Sequence, residues 1–445
     1  MRLNLFEILS IKGVANMRID KIRICGFRNI TEQTVNFGDI TALVGLNGYG
    51  KSNVIDAIDF GIDFIHATAS VKENLMTSKI CIPILKANAG KDFSFEIEFK
   101  MLSNNQPLIV QYGYSFSWET IKYPAGICSE FLRIKQDEKN QRYISYISRT
   151  GSTAHYRTSE TGRCDKLIKI DPCALIVNKL SALDDLFYID VIQQINSFRF
   201  FVERHLDASP SFIPAPFVIK GFQELELEGI QSIPRAIFYL KRDYPEKFEL
   251  LLDAFMQLFP DIKELYVEEI KLDQGIGLKQ SEELPFIFSD SIYVMSVVDD
   301  KLIQPVRFEH LSDGTKRVFL MLTFAIIADI KKLSMIAIEE PENSIHPSLF
   351  QSYLDVLSQL VSDCRILFTS HSPYIIQYLN PESIYIGMTQ ENGEATFRRI
   401  APTKVKKLLR DSADYNKSTG DYIFDLLSAA DSIEYLREYV DTNGK

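Results

Sequence analysis

Gly45-Leu46-Asn47-Gly48-Tyr49-Gly50-Lys51-Ser52 has the spacing G-x-x-x-x-G-K-S, the pattern of a loop that wraps a phosphate. The run before it, Ile40-Thr41-Ala42-Leu43-Val44, is short, apolar and β-prone. The run after it has apolar residues at Val54, Ile55, Ile58, Ile62 and Ile65, which is helical spacing. The context is therefore strand, glycine loop, helix N-terminus. Glycines let the backbone turn its N–H groups inward on an anion, and the helix start adds partial positive charge. Asn47, Gly48 and Gly50 are the expected cradle. Lys51 is placed to reach the β- and γ-phosphates of a nucleotide, and Ser52 to ligate Mg²⁺.

The rest of the chain bounds what that loop serves. At 445 residues it can bury a large core, in one big domain or two. A net charge of −10 argues against non-specific nucleic-acid binding by the whole surface and leaves a local basic groove open. Six cysteines lie scattered with no C-x-x-C pair, which reads as reduced thiols in a cytoplasmic protein and no zinc site. Apolar runs are too short to span a membrane. Residues 1–16 make a poor signal peptide, because Glu7 interrupts a short apolar run; they are either a short extra helix or an upstream start.

In chain order, residues 18–25 and the stretch around Val35 and Phe37 read as strands leading into the loop strand. Residues 70–91 are expected to be irregular. Residues 93–148 read as a β-meander, led by the alternation Phe93-Ser94-Phe95-Glu96-Ile97-Glu98-Phe99, and 149–166 as a polar loop. Residues 177–195 return to helical spacing. Three prolines mark 206–221 as a boundary; Pro234 and Pro245 sit where helices start, and Pro260 where one stops. No heptad pattern is sustained, so long coiled-coil arms are not encoded. From residue 263 strands and helices are expected to alternate again. Asn392-Gly393 marks a hairpin over 383–400, and the last 45 residues read as helical.

The second half carries the complement of the loop. Leu311-Ser312-Asp313-Gly314-Thr315 precedes an apolar helix, Val318 onward. Met335-Ile336-Ala337-Ile338 is a buried-strand run that ends in Glu339-Glu340-Pro341-Glu342. Arg365-Ile366-Leu367-Phe368-Thr369-Ser370-His371-Ser372-Pro373 is a further apolar strand ending in a histidine. Ligand sites in open α/β sheets lie at this carboxyl edge. Alone, each motif has a plain structural explanation; their order on the right elements is what carries the argument.

That order resembles the ATP-binding-cassette (ABC) ATPases: Walker A, an L-S-x-G signature, Walker B with a following Glu, then a switch His. Within that superfamily the chain looks like the RecF, SMC and OLD branch, on Ile24-Cys25-Gly26-Phe27-Arg28-Asn29-Ile30, the loop G-L-N-G-Y-G-K-S, Glu-Glu-Pro-Glu followed by Ile345-His346-Pro347, and Thr369-Ser370-His371-Ser372-Pro373. The match runs over roughly residues 17–65 and 305–400. The fold it implies is α/β: an ABC-type ATPase head, a P-loop NTPase with a mixed central sheet, flanking helices and an antiparallel β-subdomain, plus a short helical insertion. The implied partition is 17–205 for an N-terminal lobe, 206–300 for the insertion, 301–400 for a C-terminal lobe and 401–445 for a helical tail.

The resemblance also implies roles. Glu340 is the general base and His371 contacts the γ-phosphate; Glu339 and Ser52 hold Mg²⁺. Ser312 contacts the γ-phosphate held by a second copy, with Gly314 letting backbone approach it. One cassette per chain then implies a homodimer or a higher even-numbered oligomer. Walker B usually ends Asp-Glu, and the longer Glu339 makes hydrolysis slow. The family's Gln loop has no clear match; Gln106 and Gln111 lie in the meander. Only 74 residues follow His371, without D-x-D, so no nuclease of its own is expected.

Stand-alone heads of this kind resemble ATPase subunits of phage-defence systems such as the Septu and PARIS types, in which a separate effector protein does the damage. The expectation is thus an ATP- and Mg²⁺-dependent switch that controls such an effector. Two alternatives stand beside it. One is a RecF-like ATPase that clamps DNA, pointed to by Arg398, Arg399, Lys404, Lys406, Lys407 and Arg410; the other is a nucleotide-binding scaffold that hydrolyses little.

Overall fold

The computed structural model describes residues 17–119, 125–183, 185–204, 208–219, 225, 232–272, 286–361, 363–389, 392–429 and 433–441. The alternatives for residues 1–16 lie outside them. Contacts group the chain into two interleaved units rather than consecutive segments. One holds 1–37, 56–199 and 391–394; the other holds 38–55, 200–390 and 395–445. The glycine loop and the 301–400 motifs therefore share the second unit, and so does the 206–300 stretch expected as an insertion.

The first unit is built on an eight-stranded antiparallel sheet. Its spatial order is Ile30–Asn36, Arg18–Phe27, Phe93–Ser103, Gln106–Ser117, Gly126–Gln136, Ile144–Thr150, Thr153–Arg157 and Cys164–Leu167. Strict alternation explains it: Phe93, Phe95, Ile97, Phe99 and Met101 are buried while their neighbours are less so. Phe60 packs with Phe93, Phe116 and Trp118, and Phe64 with Tyr114 and Phe116, at ring separations of 4.8–6.2 Å. Two expectations need correction here. Residues 149–166 are not a loop, because Gly151 (φ +57°) turns the chain back and Thr150 pairs with Thr153. Within 70–91 a helix forms, Ala69–Met76, with the Thr68 hydroxyl accepting the Val71 N–H. The helical spacing over 177–195 resolves into two short helices, Ile176–Leu180 and Ile189–Asn196.

The second unit holds a six-stranded mixed sheet. Its order is Phe200–Glu203, Met335–Glu339, Arg365–Ser370, Ile40–Val44, Ile384–Thr389 and Ala395–Arg399. The first five strands are parallel and the last is antiparallel. Ile40–Val44 and Arg365–Ser370 are buried at every position, as strands covered on both faces must be. Helices Asp313–Lys331 and Pro347–Leu360 contribute Phe319, Leu322, Phe350 and Tyr353 to one continuous apolar core with the strands.

The proline reading holds: helices Ile233–Asp243 and Pro245–Leu258 each carry Pro in the first turn, and the second ends before Pro260. The alternation expected from residue 263 begins later. Ile262–Lys271, Ser291–Asp299 and Val306–Arg307 form an antiparallel sheet, because Tyr293, Met295 and Val297 repeat with period two rather than 3.6. The 383–400 hairpin and the helical tail are present. Among the described residues the longest helix has 19 residues, and no helix is long and apolar enough to cross a membrane.

Candidate active site

Parallel register brings the motifs to one sheet edge. Glu339 lies opposite Thr369, and Ser370 opposite Val44. The residues that follow, Glu340, His371 and Gly45, therefore leave the sheet side by side. The glycine loop turns at Gly48 (φ +83°) and Gly50 (φ +89°), a backbone region open to Gly at little cost. Lys51 opens the helix Lys51–His66. Its Nζ donates to the carbonyls of Gly45 (2.7 Å) and Leu46 (3.1 Å). Burial lowers the Lys51 pKa, and the carboxylates of Glu340, Glu339 and Glu342 oppose that shift. Asn47, Gly48 and Ser52 are exposed, so the loop presents its outer face to a ligand.

Glu340 is the most constrained residue of the edge. Its φ is +51°, a left-handed conformation that costs a non-glycine residue roughly 1–3 kcal/mol. Two backbone bonds hold it there: its N–H donates to Thr369 O (2.8 Å), and its carbonyl accepts from Arg317 Nη2 (2.7 Å). The side chain is fixed as well, with Asn343 Nδ2 donating to Oε2 (2.7 Å) and His371 Nδ1 lying 2.7 Å from Oε1. Burial would raise this carboxyl, but the Asn343 amide, His371 and Lys51 keep it below its usual range. Glu340 is an ionised, oriented carboxylate, as a general base must be.

Glu339 has the character of a hard-cation ligand. Its Oε1 is buried without a hydrogen-bond partner among the described residues, and Arg204 Nη1 lies 3.6 Å away. With the Ser52 hydroxyl it offers oxygen donors of the kind Mg²⁺ takes, so the residues fit the ion.

Ser312 is used differently within one chain. It is exposed and caps the helix Asp313–Lys331, accepting the Thr315 N–H at 3.1 Å, with the Thr315 hydroxyl 2.7 Å away. Gly314 has a local reason: a Cβ there would sit 2.5 Å from Ser344 O. Gly314→Ala should therefore lower stability by about 1–3 kcal/mol, the usual cost of overpacking, measured by denaturant unfolding. An unchanged midpoint would show that the contact relaxes freely. His346 caps Pro347–Leu360, with Nδ1 2.8 Å from Ser348 Oγ.

Five participants were not singled out from the sequence: Arg204, Arg317, Glu342, Asn343 and Ser370. Glu342 and Ser370 were visible inside quoted motifs; Arg317 follows Ser312 by five residues, beside Lys316 and just before the apolar run that starts at Val318. Arg204 had no signal at all, since it reaches Glu339 only because Phe200–Glu203 pairs beside Met335–Glu339. Gln111, weighed as a Gln-loop candidate, bonds Glu98 in the meander at 2.6 Å.

A DNA double-strand break repair Rad50 ATPase of Methanococcus maripaludis is 22% identical over 271 residues, 60% of this chain, and the chain spans 24% of that protein's length. The SMC head domain from Thermotoga maritima is similar at a TM-score of 0.41 and 13% identity, over 86% of this chain and 99% of that one. An Smc head domain with an extended coiled coil from Pyrococcus furiosus, bound to the C-terminal domain of ScpA, is similar at 0.42 and 11%, over 89% and 100%.

Residues 40–377 match the family described as "AAA domain, putative AbiEii toxin, Type IV TA system". The match takes in about three quarters of the chain, from the strand before the glycine loop to beyond His371. The chain belongs to this family of AAA ATPase domains, and its mixed sheet and separate antiparallel sheet are consistent with the ABC-type ATPase head expected from the sequence.

Proposed function

We propose that the chain is an ATP-driven switch: two copies close on two ATP molecules, hydrolyse them slowly and control a separate effector protein in cytoplasmic antiviral defence. One observation carries this reading. The phosphate-holding and base residues converge at one edge, while the exposed Ser312 hydroxyl is engaged by Thr315 at the head of its own helix. Such a site is half built, and a second copy can supply Ser312.

The geometry supports the following roles. Lys51 exchanges its two carbonyl partners for β- and γ-phosphate oxygens. Ser52 and Glu339 would hold Mg²⁺, which would supply charge neutralisation for the phosphate oxygens. Glu340, oriented by Asn343, takes the proton of the attacking water, and His371 turns from Glu340 toward the γ-phosphate. The longer Glu339, already close to Arg204, supports slow turnover. The toxin named in the family's description supports a defence role.

Purified chain with Mg²⁺ and ATP should hydrolyse ATP and leave DNA and RNA intact; degradation of either would sink the separate-effector reading. The second reading, a DNA clamp, is favoured by the likeness to a DNA-repair ATPase. Its best basic run is partly neutralised in the chain, with Lys407 bonded to Glu438, Arg399 3.8 Å from Glu382 and Arg410 3.4 Å from Asp411. ATP-dependent DNA binding that weakens steeply with salt would favour the clamp.

A further inference from the structure

Glu342 is the carboxylate of the 339–342 run for which hydrolysis as derived above has no use. Its side chain is buried. One oxygen accepts a hydrogen bond from Ser370 Oγ, and the other has no hydrogen-bond partner among the described residues. Ser370 itself is fully buried.

The Ser370 hydroxyl has one proton and two acceptor positions. It accepts the N–H of Ser372 at 2.9 Å. A backbone N–H can only donate, so the hydroxyl proton remains for Glu342. The chain of bonds runs from Ser372 N–H to Ser370 Oγ and from Ser370 O–H to Glu342. The Ser370 carbonyl meanwhile accepts the N–H of Gly45 at 3.2 Å. Ser370 is tied to the first glycine of the phosphate loop, to Ser372 and to Glu342.

His371 is the residue between Ser370 and Ser372. A hydroxyl that accepts the N–H two residues ahead closes a local turn over the residue in between. That turn sets where the imidazole leaves the backbone, and its Nδ1 ends 2.7 Å from Glu340 Oε1.

We propose that Glu342 is a positioning residue for His371, acting through the Ser370 hydroxyl to hold the turn that places the imidazole beside Glu340. The proposal rests on the reading that His371 takes part in ATP hydrolysis. Glu342 acts only through Ser370, so its removal displaces His371 without removing a reacting group. Small displacements of this kind cost up to about 10²-fold in rate.

The test uses the full chain and a mutant cycle. Glu342→Ala, Ser370→Ala and His371→Ala are each assayed for kcat, for ATPγS affinity and for thermal midpoint. Glu342→Ala and Ser370→Ala should each lower kcat roughly 10- to 100-fold and leave ATPγS affinity within about threefold. In the His371→Ala background, adding Glu342→Ala should cause no further loss, because the residue it positions is gone. Losses that multiply in that background would overturn the proposal, as would full kcat in Glu342→Ala. Should Glu342→Ala fold poorly, the isosteric Glu342→Gln completes the same cycle; its amide can donate to Ser370 Oγ and disturb the bond direction without opening a cavity. If His371→Ala alone keeps wild-type kcat, the underlying reading of His371 fails, an outcome distinct from multiplying losses.

Discussion

Glu340→Gln is expected to slow ATP hydrolysis by ~10²–10⁴-fold, the usual contribution of a positioned general base, and to leave nucleotide binding intact. The substitution is nearly isosteric. It keeps an acceptor for Asn343 Nδ2 and keeps the backbone bonds to Thr369 and Arg317 that hold the left-handed turn. What it removes is the carboxylate that takes the proton from water. A single-turnover assay with radiolabelled ATP measures the step directly. Sedimentation in Mg²⁺ and ATP gives a second readout: the variant should accumulate as a dimer, since closure persists when hydrolysis stops. Equal single-turnover rates in wild type and variant would remove Glu340 from the mechanism and favour the weakly hydrolysing scaffold.

The second large effect concerns the composite site. Lys51→Ala should abolish tight ATP binding, because it removes the buried ammonium aimed along the glycine loop. Ser312→Arg should abolish turnover while ATP still binds each chain, because residue 312 is exposed and lies on another segment. Mixed in equal amounts, the two dead chains should recover about a quarter of wild-type activity. Half of the dimers are then mixed, and each mixed dimer has one intact site, from the Lys51 of one chain and the Ser312 of the other. No recovery on mixing, with mixed dimers shown to form, would mean that Ser312 does not act across copies. In that case its role is the cap it forms with Thr315.

The contrast between these two tests reflects what was legible. Lys51, Ser52, Glu339, Glu340 and His371 could be singled out because each ends or begins an element whose pattern is local. A five-residue, mostly apolar β-prone run before a glycine loop, or four apolar residues before two glutamates, specify a buried strand and its carboxyl end whatever lies elsewhere. Glu342 was quoted within a motif and given no work, since nothing in its neighbourhood shows that Ser370, 28 residues away, points a hydroxyl at it. Gly314 was read as a close approach to phosphate, whereas a Ser344 carbonyl already crowds the position.

By itself, then, the sequence determined which segments are strands and helices around the site, which residues stand at their ends, and the order of four motifs characteristic of a nucleotide-hydrolysing head. Those are properties of neighbours within a few residues, where periodicity and backbone preference act. Only the tertiary structure decided that Phe200–Glu203 lies beside Met335–Glu339 and so brings Arg204 to Glu339. It also decided that Arg317 pins the strained Glu340 backbone and that Glu342 reaches His371 through Ser370. The reason is physical: strand order and register are set by burial across segments up to hundreds of residues apart, and a hydrogen bond of under 3 Å exists only once that register is chosen.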